Sequence, residues 1–179
     1  MSVGLLRGTV ALEKHNPEWE MIGKQTIKQL NDILFGVAID IQHVGSTAIN
    51  GIVAKPIIDL VIGVSDFNDI LSLNNELEKA GFLFRGQDHP QQYLYICGSG
   101  DFITHHIHVV IYNSKEWNDY INLRDYLNAY IDEAQEYSLL KETLAKQYAN
   151  DRKTYTAKKS NFINSLLIKA QAWRNKTKE

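Results

Sequence analysis

Residues 57–64, IIDLVIGV, constrain the fold more than any other stretch of this chain. A run that is apolar on both faces belongs to a central strand, so the fold must supply a layer on each side of it. Inside the run sits one carboxylate, Asp59. The period of two puts Ile57, Asp59 and Val61 on one face and Ile58, Leu60 and Ile62 on the other. A charge there has to be paired, hydrogen-bonded or metal-bound, because an isolated buried charge is very costly. A salt bridge to Lys55 or Arg124 is the structural answer. A magnesium ligand at the edge of a cleft is the functional one.

The strand is approached through HVGSTAINGIVAK, residues 43–55. Glycine and small hydroxyl residues let backbone N–H groups come close to a ligand, so Gly45, Ser46 and Thr47 are candidate phosphate contacts. The same residues also suit a plain connecting turn. Further on, THHIHVVIY at 104–112 reads as another strand. His106 and His108 then share one face, on the order of 7 Å apart, while His105 falls with Ile107, Val109 and Ile111. Two imidazoles so spaced can share a metal, hold a phosphate or move protons. His43 ends the strand before the loop. On adjacent strands, His43, Asp59, His106 and His108 would form a metal or phosphate constellation.

The remaining elements follow from local signals. Residues 7–13 suit a short strand. Asn16-Pro17 pairs a capping residue with proline at the first helical position, opening a helix to about Asn31. Residues 37–44 alternate with Val37, Ile39, Ile41 and His43 on one face. Asp66 caps a helix through Ala80, which Gly81 stops. FLFRG and QYLYIC are strands about a polar turn. Ser114 caps a helix over SKEWNDYINLRDYLNAY, a second runs from Asp132 to Tyr148, and a third from about Arg152 to Trp173. In that third helix Phe162, Leu166, Ala170 and Trp173 share a face. The expected architecture is α+β, a mixture of α and β elements: a mixed sheet of about five strands over residues 7–112, with C-terminal helices over about 114–175. No repeat or linker interrupts it, so residues 1–179 read as one domain.

Composition narrows the class. Of the 179 residues, 44% are hydrophobic and 22% charged, ordinary values for a soluble globular chain. The single Cys97 excludes an internal disulfide and a cysteine-based zinc site, and reads as a small core residue. The N-terminus has no signal-peptide core, and no segment reaches the roughly 20 apolar residues of a membrane span. The expectation is a cytoplasmic protein with no membrane partner. From Asp151 onward eight basic residues face two acidic ones. That bias suits a solvated helix face, or a nucleic-acid contact through Lys158, Lys159 and Lys169.

HVGSTAINGIVAKPIIDLVIGV, then HHIHVV, LRDYL and YSLLKETLAKQYANDRKTYTAKKSNFI, together resemble the GrpB (UPF0157) family over about residues 7–165. The resemblance implies a nucleotidyltransferase-like mixed sheet, with a Gly-Ser turn followed about a dozen residues later by metal-binding carboxylates. Gly45-Ser46 and Asp59 match that pattern. Active members of the superfamily place two carboxylates on that strand and a third on a later one, whereas here Val61 and His106 or His108 stand in those positions. In the resemblance Ser46, Thr47, Lys55 and Arg124 contact phosphate. Asp59 with His43, His106 or His108 holds magnesium or another divalent metal, and Asp59, His106 and His108 are the catalytic candidates. The implied activity is binding of a nucleotide or phosphorylated ligand, with nucleotidyl transfer if the metal site functions. A non-catalytic binding module for a nucleotide, a metabolite or RNA, on a degenerate nucleotidyltransferase fold, is the alternative. Asp125 reads as an ion-pair partner of Arg124. Tyr137, Lys141, Asp151, Tyr155 and Lys158 read as helix-packing residues, with Lys141 or Lys158 able to reach the cleft.

Overall fold

The structure, a computed structural model, describes residues 3–177. In chain order the elements are β1 (Leu5–Leu6), α1 (Glu18–Ile33), β2 (Ala38–Val44), a single 3-10 turn (Ser46–Ala48) and β3 (Ile58–Val64). Then come α2 (Phe67–Leu71), α3 (Asn74–Lys79), β4 (Leu83–His89), β5 (Gln92–Ser99) and β6 (Phe102–Ile111). Three helices close the chain: α4 (Lys115–Ala129), α5 (Ile131–Gln147) and α6 (Arg152–Thr177). The sheet runs β2-β3-β6-β5-β4, with β1 attached to the start of β6. Only β3 and β6 are parallel, so the sheet is mixed and the fold is α+β.

β3 is central, as its sequence requires. One face packs Leu60, Ile62, Ile107 and Val109 against Trp19, Leu30 and Leu34 of the α1 layer. The other packs Val44, Val61 and Val110 under Trp117 of α4. The C-terminal helices build a second core in which Ile49 and Ile52 of the loop meet Tyr126, Leu127, Tyr137, Leu166 and Ala170. Fully burying one such aliphatic side chain is worth about 1.5–3 kcal/mol, so these layers supply most of the driving force.

Most helix signals act as read. Asn16 Oδ1 accepts from the Glu18 N–H at 3.0 Å, and Pro17 already has helical dihedrals of −57° and −22°. Ser114 Oγ accepts from the Trp117 N–H at 3.2 Å. Two elements differ. Residues 7–13 do not form a strand. The chain turns back through Thr9, whose N–H bonds Leu6 at 3.2 Å, and Val10 then bonds Ala149 at 2.7 Å. Only Glu13 makes a bridge, to Ala54. The stretch expected as one helix from Asp66 to Ala80 is two: the chain turns at Ser72-Leu73, where the Leu73 N–H bonds the Ile70 carbonyl at 3.0 Å.

Candidate functional site: a cation-lined cleft

The β3–β6 register sets Asp59 beside His106 and Val61 beside His108. Asp59, His106 and His108 therefore share one face, and the imidazole centroids are 6.2 Å apart. Asp59 does not pair with Lys55 or Arg124. Its Oδ1 lies 3.0 Å from His106 Nδ1 and 3.6 Å from His108 Nε2, and its side chain is 28% exposed. Burial pushes this carboxyl up, but the two imidazoles outweigh it and hold the group well below the usual carboxylate range.

Outer partners decide which ring nitrogens carry protons. Arg152 Nη2 lies 3.2 Å from His106 Nε2. A guanidinium only donates, so Nε2 accepts and the His106 proton sits on Nδ1, facing Asp59. Gln92 Nε2 lies 3.0 and 3.2 Å from the Asp88 oxygens, and its Oε1 accepts from the Tyr120 hydroxyl at 2.9 Å. That fixes the amide orientation, so its nitrogen donates to His108 Nδ1 at 3.3 Å. The His108 proton is then on Nε2, again facing Asp59. Tyr120 stacks on His108 with ring centroids 5.0 Å apart. Both histidines thus point an N–H at one carboxylate oxygen.

The other oxygen, Oδ2, faces the Gly45 turn. Gly45 has a φ of +69°, and a Cβ there would lie 2.5 Å from Oδ2. Glycine is needed both for the backbone and for the close approach.

A cleft of about 670 Å³ opens at this point. Gly45, Ser46, Lys55, Asp59, His106 and His108 line it from the sheet side. One face of α6 lines the opposite wall, with Arg152, Tyr155, Thr156 and Lys159 followed by Ile163 and Leu167. Lys55 and Lys159 stand over the Tyr155 ring, 6.0 and 4.6 Å from its centroid. Burial lowers both ammonium groups to about 8, against the pull of Asp59 and reinforced by the nearby Arg152 charge and, for Lys55, by Lys159. Among the described residues neither ammonium forms an ion pair. Partly buried cations without counter-ions are costly, and an incoming anion would relieve that cost.

Several anticipated residues have other employment. His43 lies on the α1 face, opposite Leu60 in the β2–β3 register and against Gly23. Its Nε2 is 2.9 Å from Thr47 Oγ1, and burial lowers it to about 4. His43 therefore does not join Asp59, His106 and His108. Thr47 borders the cleft, but it is 1% exposed and its hydroxyl is engaged by His43. Arg124 also borders the cleft, but it ties α4 to β2 through Gln42 at 2.9 Å and the His43 carbonyl at 3.0 Å, and pairs with Asp125. Asp125 continues to Arg174 of α6. Lys141 donates to the Val53 carbonyl, and Ser138 accepts from the Val53 N–H at 3.0 Å, so α5 clamps the loop. Lys158 is exposed; Lys159 is the lysine that enters the cleft. Cys97 packs at the edge of the α1-side core, where burial pushes its thiol up to about 12.

The residues do not suit a pair of metal ions. Val61, where a second carboxylate would stand, is fully buried among Val44, Val110 and Trp117. Both nitrogens of His106 and of His108 already face protein groups. Among the described residues no three or more His, Cys, Asp or Glu side chains are arranged to hold a metal.

Sequence reading missed Arg152, Gln92 and Tyr120. The Arg152–Tyr155–Lys159–Ile163 spacing on α6 is a visible helical stripe and could have flagged the first. Gln92 depends on the β5–β6 register, which no local pattern encodes.

Comparison with known proteins gives the family and the fold. The family model described as GrpB protein matches residues 9–169. The glutamate-rich protein GrpB of Alkalihalophilus pseudofirmus is 39% identical over 170 residues, covering 92% of this chain and 98% of that protein. A crystal structure of conserved protein GrpB from Enterococcus faecalis superimposes with a TM-score of 0.85 at 26% identity, over 91% of this chain and 99% of that one. A cytoplasmic RNA terminal U-transferase superimposes with a TM-score of 0.54 at 17% identity, over 74% of this chain and 41% of that one, a likeness of fold alone.

Proposed function

Given that the chain belongs to the GrpB family and carries a nucleotidyltransferase-like fold, we propose that it binds a nucleotide or another phosphorylated small molecule in the cleft between the sheet and α6. One observation carries this reading: Lys55, Arg152 and Lys159 line the cleft without carboxylate partners. The wall they share with Tyr155 continues into Ile49, Leu123, Ile163 and Leu167. From Lys159 to Leu167 the α6 axis advances about 12 Å, so a charged head and an organic body can lie along one helix face. The volume falls within the usual range for small-molecule sites.

Two other readings have less support. Nucleotidyl transfer by paired metals lacks its second carboxylate at Val61. Nucleic-acid binding through the basic helix is weakened because Lys169 is paired with Glu133 at 2.6 Å and Lys159 faces the cleft.

The test is a thermal-shift panel of nucleoside mono-, di- and triphosphates and sugar phosphates on wild type and Lys159→Met. A ligand at 100 times its dissociation constant stabilises by about 2.7 kcal/mol, a readable rise in Tm. The expected result is a rise for at least one organic phosphate, lost in the variant. A flat response across the panel overturns the reading.

A further inference from the structure

We infer that the cleft takes a di- or triphosphate group and holds it without a divalent metal, Lys55, Arg152 and Lys159 supplying the charge that paired metals supply elsewhere. This rests on the reading of the cleft as an organic-phosphate site and adds the ligand class and its counter-charge.

Three observations converge. The first is the number and place of the cations. Lys55 comes from the loop before β3, while Arg152 and Lys159 come from α6. The two α6 positions are seven residues apart. That spacing is about 10 Å along the axis, which successive phosphates match better than one phosphate does. A phosphate chain lying between them would meet a positive group on each side.

The second is the way Asp59 is used. Its Oδ1 accepts the His106 N–H at 3.0 Å and faces His108 Nε2 at 3.6 Å, so the carboxylate serves as an acceptor held against two imidazoles. A metal would need a lone pair on those rings. The His106 lone pair faces Arg152 and the His108 lone pair faces Gln92. Arg152 would have to leave His106, and Gln92 would have to leave His108, before either ring could ligate.

The third is Val61. It shares the face of Asp59 two residues along β3, yet it is sealed under Trp117 with Val44 and Val110. Replacing it with an acid would bury a charge in an apolar cluster, so the fold itself resists a second carboxylate there.

The cleft lining carries five basic side chains, Lys55, Arg124, Lys141, Arg152 and Lys159, against three carboxylates, Asp59, Glu116 and Asp119, so the wall is net electropositive. A further divalent ion would meet repulsion, whereas a polyphosphate meets complementary charge. Arg152 also links the ligand site to the histidines. A phosphate that draws its guanidinium away would free His106 Nε2 towards the cleft.

The experiment is calorimetric titration of sodium tripolyphosphate and inorganic phosphate into the full chain, in EDTA and then in magnesium or manganese. Wild type is compared with Lys55→Met, Lys159→Met and, as an exposed control, Lys158→Met. The expected result is tripolyphosphate binding in EDTA that metal improves by no more than about twofold, and that each cleft variant weakens by about tenfold. The Lys158 variant should bind like wild type, and inorganic phosphate should bind more weakly. Because the cleft lysines repel one another, their Met variants should melt no lower than wild type without ligand; a variant that melts lower is replaced by Lys→Gln at the same position.

Binding that requires magnesium or manganese overturns metal independence and leaves the organic-phosphate reading standing. Equal affinity for phosphate and tripolyphosphate overturns the di- or triphosphate class. Tripolyphosphate that binds in neither medium overturns the inference, and the separate panel of organic phosphates then decides whether the broader reading falls too.

Discussion

At the scale of single residues, the site depends on how one carboxylate is held. Gly45 makes room for Asp59 Oδ2, so Gly45→Ala would place a Cβ 2.5 Å from that oxygen and strain a φ of +69°. The expected loss is about 1–3 kcal/mol of stability by urea denaturation. A neutral result would mean that the turn relaxes freely and does not fix Asp59. The proton positions are equally open to test. Long-range proton–nitrogen NMR should place the His106 proton on Nδ1 and the His108 proton on Nε2. The opposite tautomer at His106 would break the Arg152–His106–Asp59 chain as drawn. Asp59, His106 and His108 were legible as a set, because strand periodicity and two nearby apolar runs are local facts. His43 was not separable from them, since the face it takes depends on the β2–β3 register.

At the scale of elements, two partly buried histidines fasten the sheet to its neighbours. His105 of β6 reaches Thr26 of α1 at 3.1 Å, and His43 of β2 reaches Thr47 of the loop at 2.9 Å. Burial lowers both from 6.5 to about 4. Between those values the unfolded chain takes up protons that the folded one refuses, so stability rises with pH across that window and is lost as pH falls from about 6.5 towards 4. Each histidine contributes up to about 3 kcal/mol to this slope. Urea midpoints measured from pH 7 to 4 should fall accordingly, and His105→Gln should flatten the decline. An unchanged slope in that variant would remove His105 as a cause. The break between α2 and α3 illustrates the reverse difficulty for sequence reading. Helical periodicity continued through Ser72, but the chain turns there, with the Leu73 N–H bonding the Ile70 carbonyl three residues back.

At the scale of the whole molecule, α6 joins the parts. Tyr155 is fully buried with Val10 and Leu144, while Leu166 and Ala170 lie in the core shared with α4 and α5. Tyr155→Ala should therefore cost about 3 kcal/mol and leave a single unfolding transition. A separate early transition would show α6 melting on its own. The same helix forms the far wall of the cleft, so the packing that stabilises the chain also places Arg152 and Lys159. Among the described residues no helix is long and apolar enough to cross a membrane.

The sequence by itself determined the central strand, the carboxylate within it, the Gly-Ser turn, the helical C-terminal third and the GrpB family. The first four rest on periodicity, capping and local composition, which act over a few residues, and the family rests on the resemblance of longer motifs. Only the tertiary structure decided which face His43 takes, that Arg124 is spent on β2, that Lys159 and not Lys158 enters the cleft, and that Arg152 and Gln92 set the histidine protons. Those outcomes depend on strand register and on the rotation of α6 about its axis. Both are fixed by burial summed over the whole core, and a change of one residue in either would send every side chain to a different face.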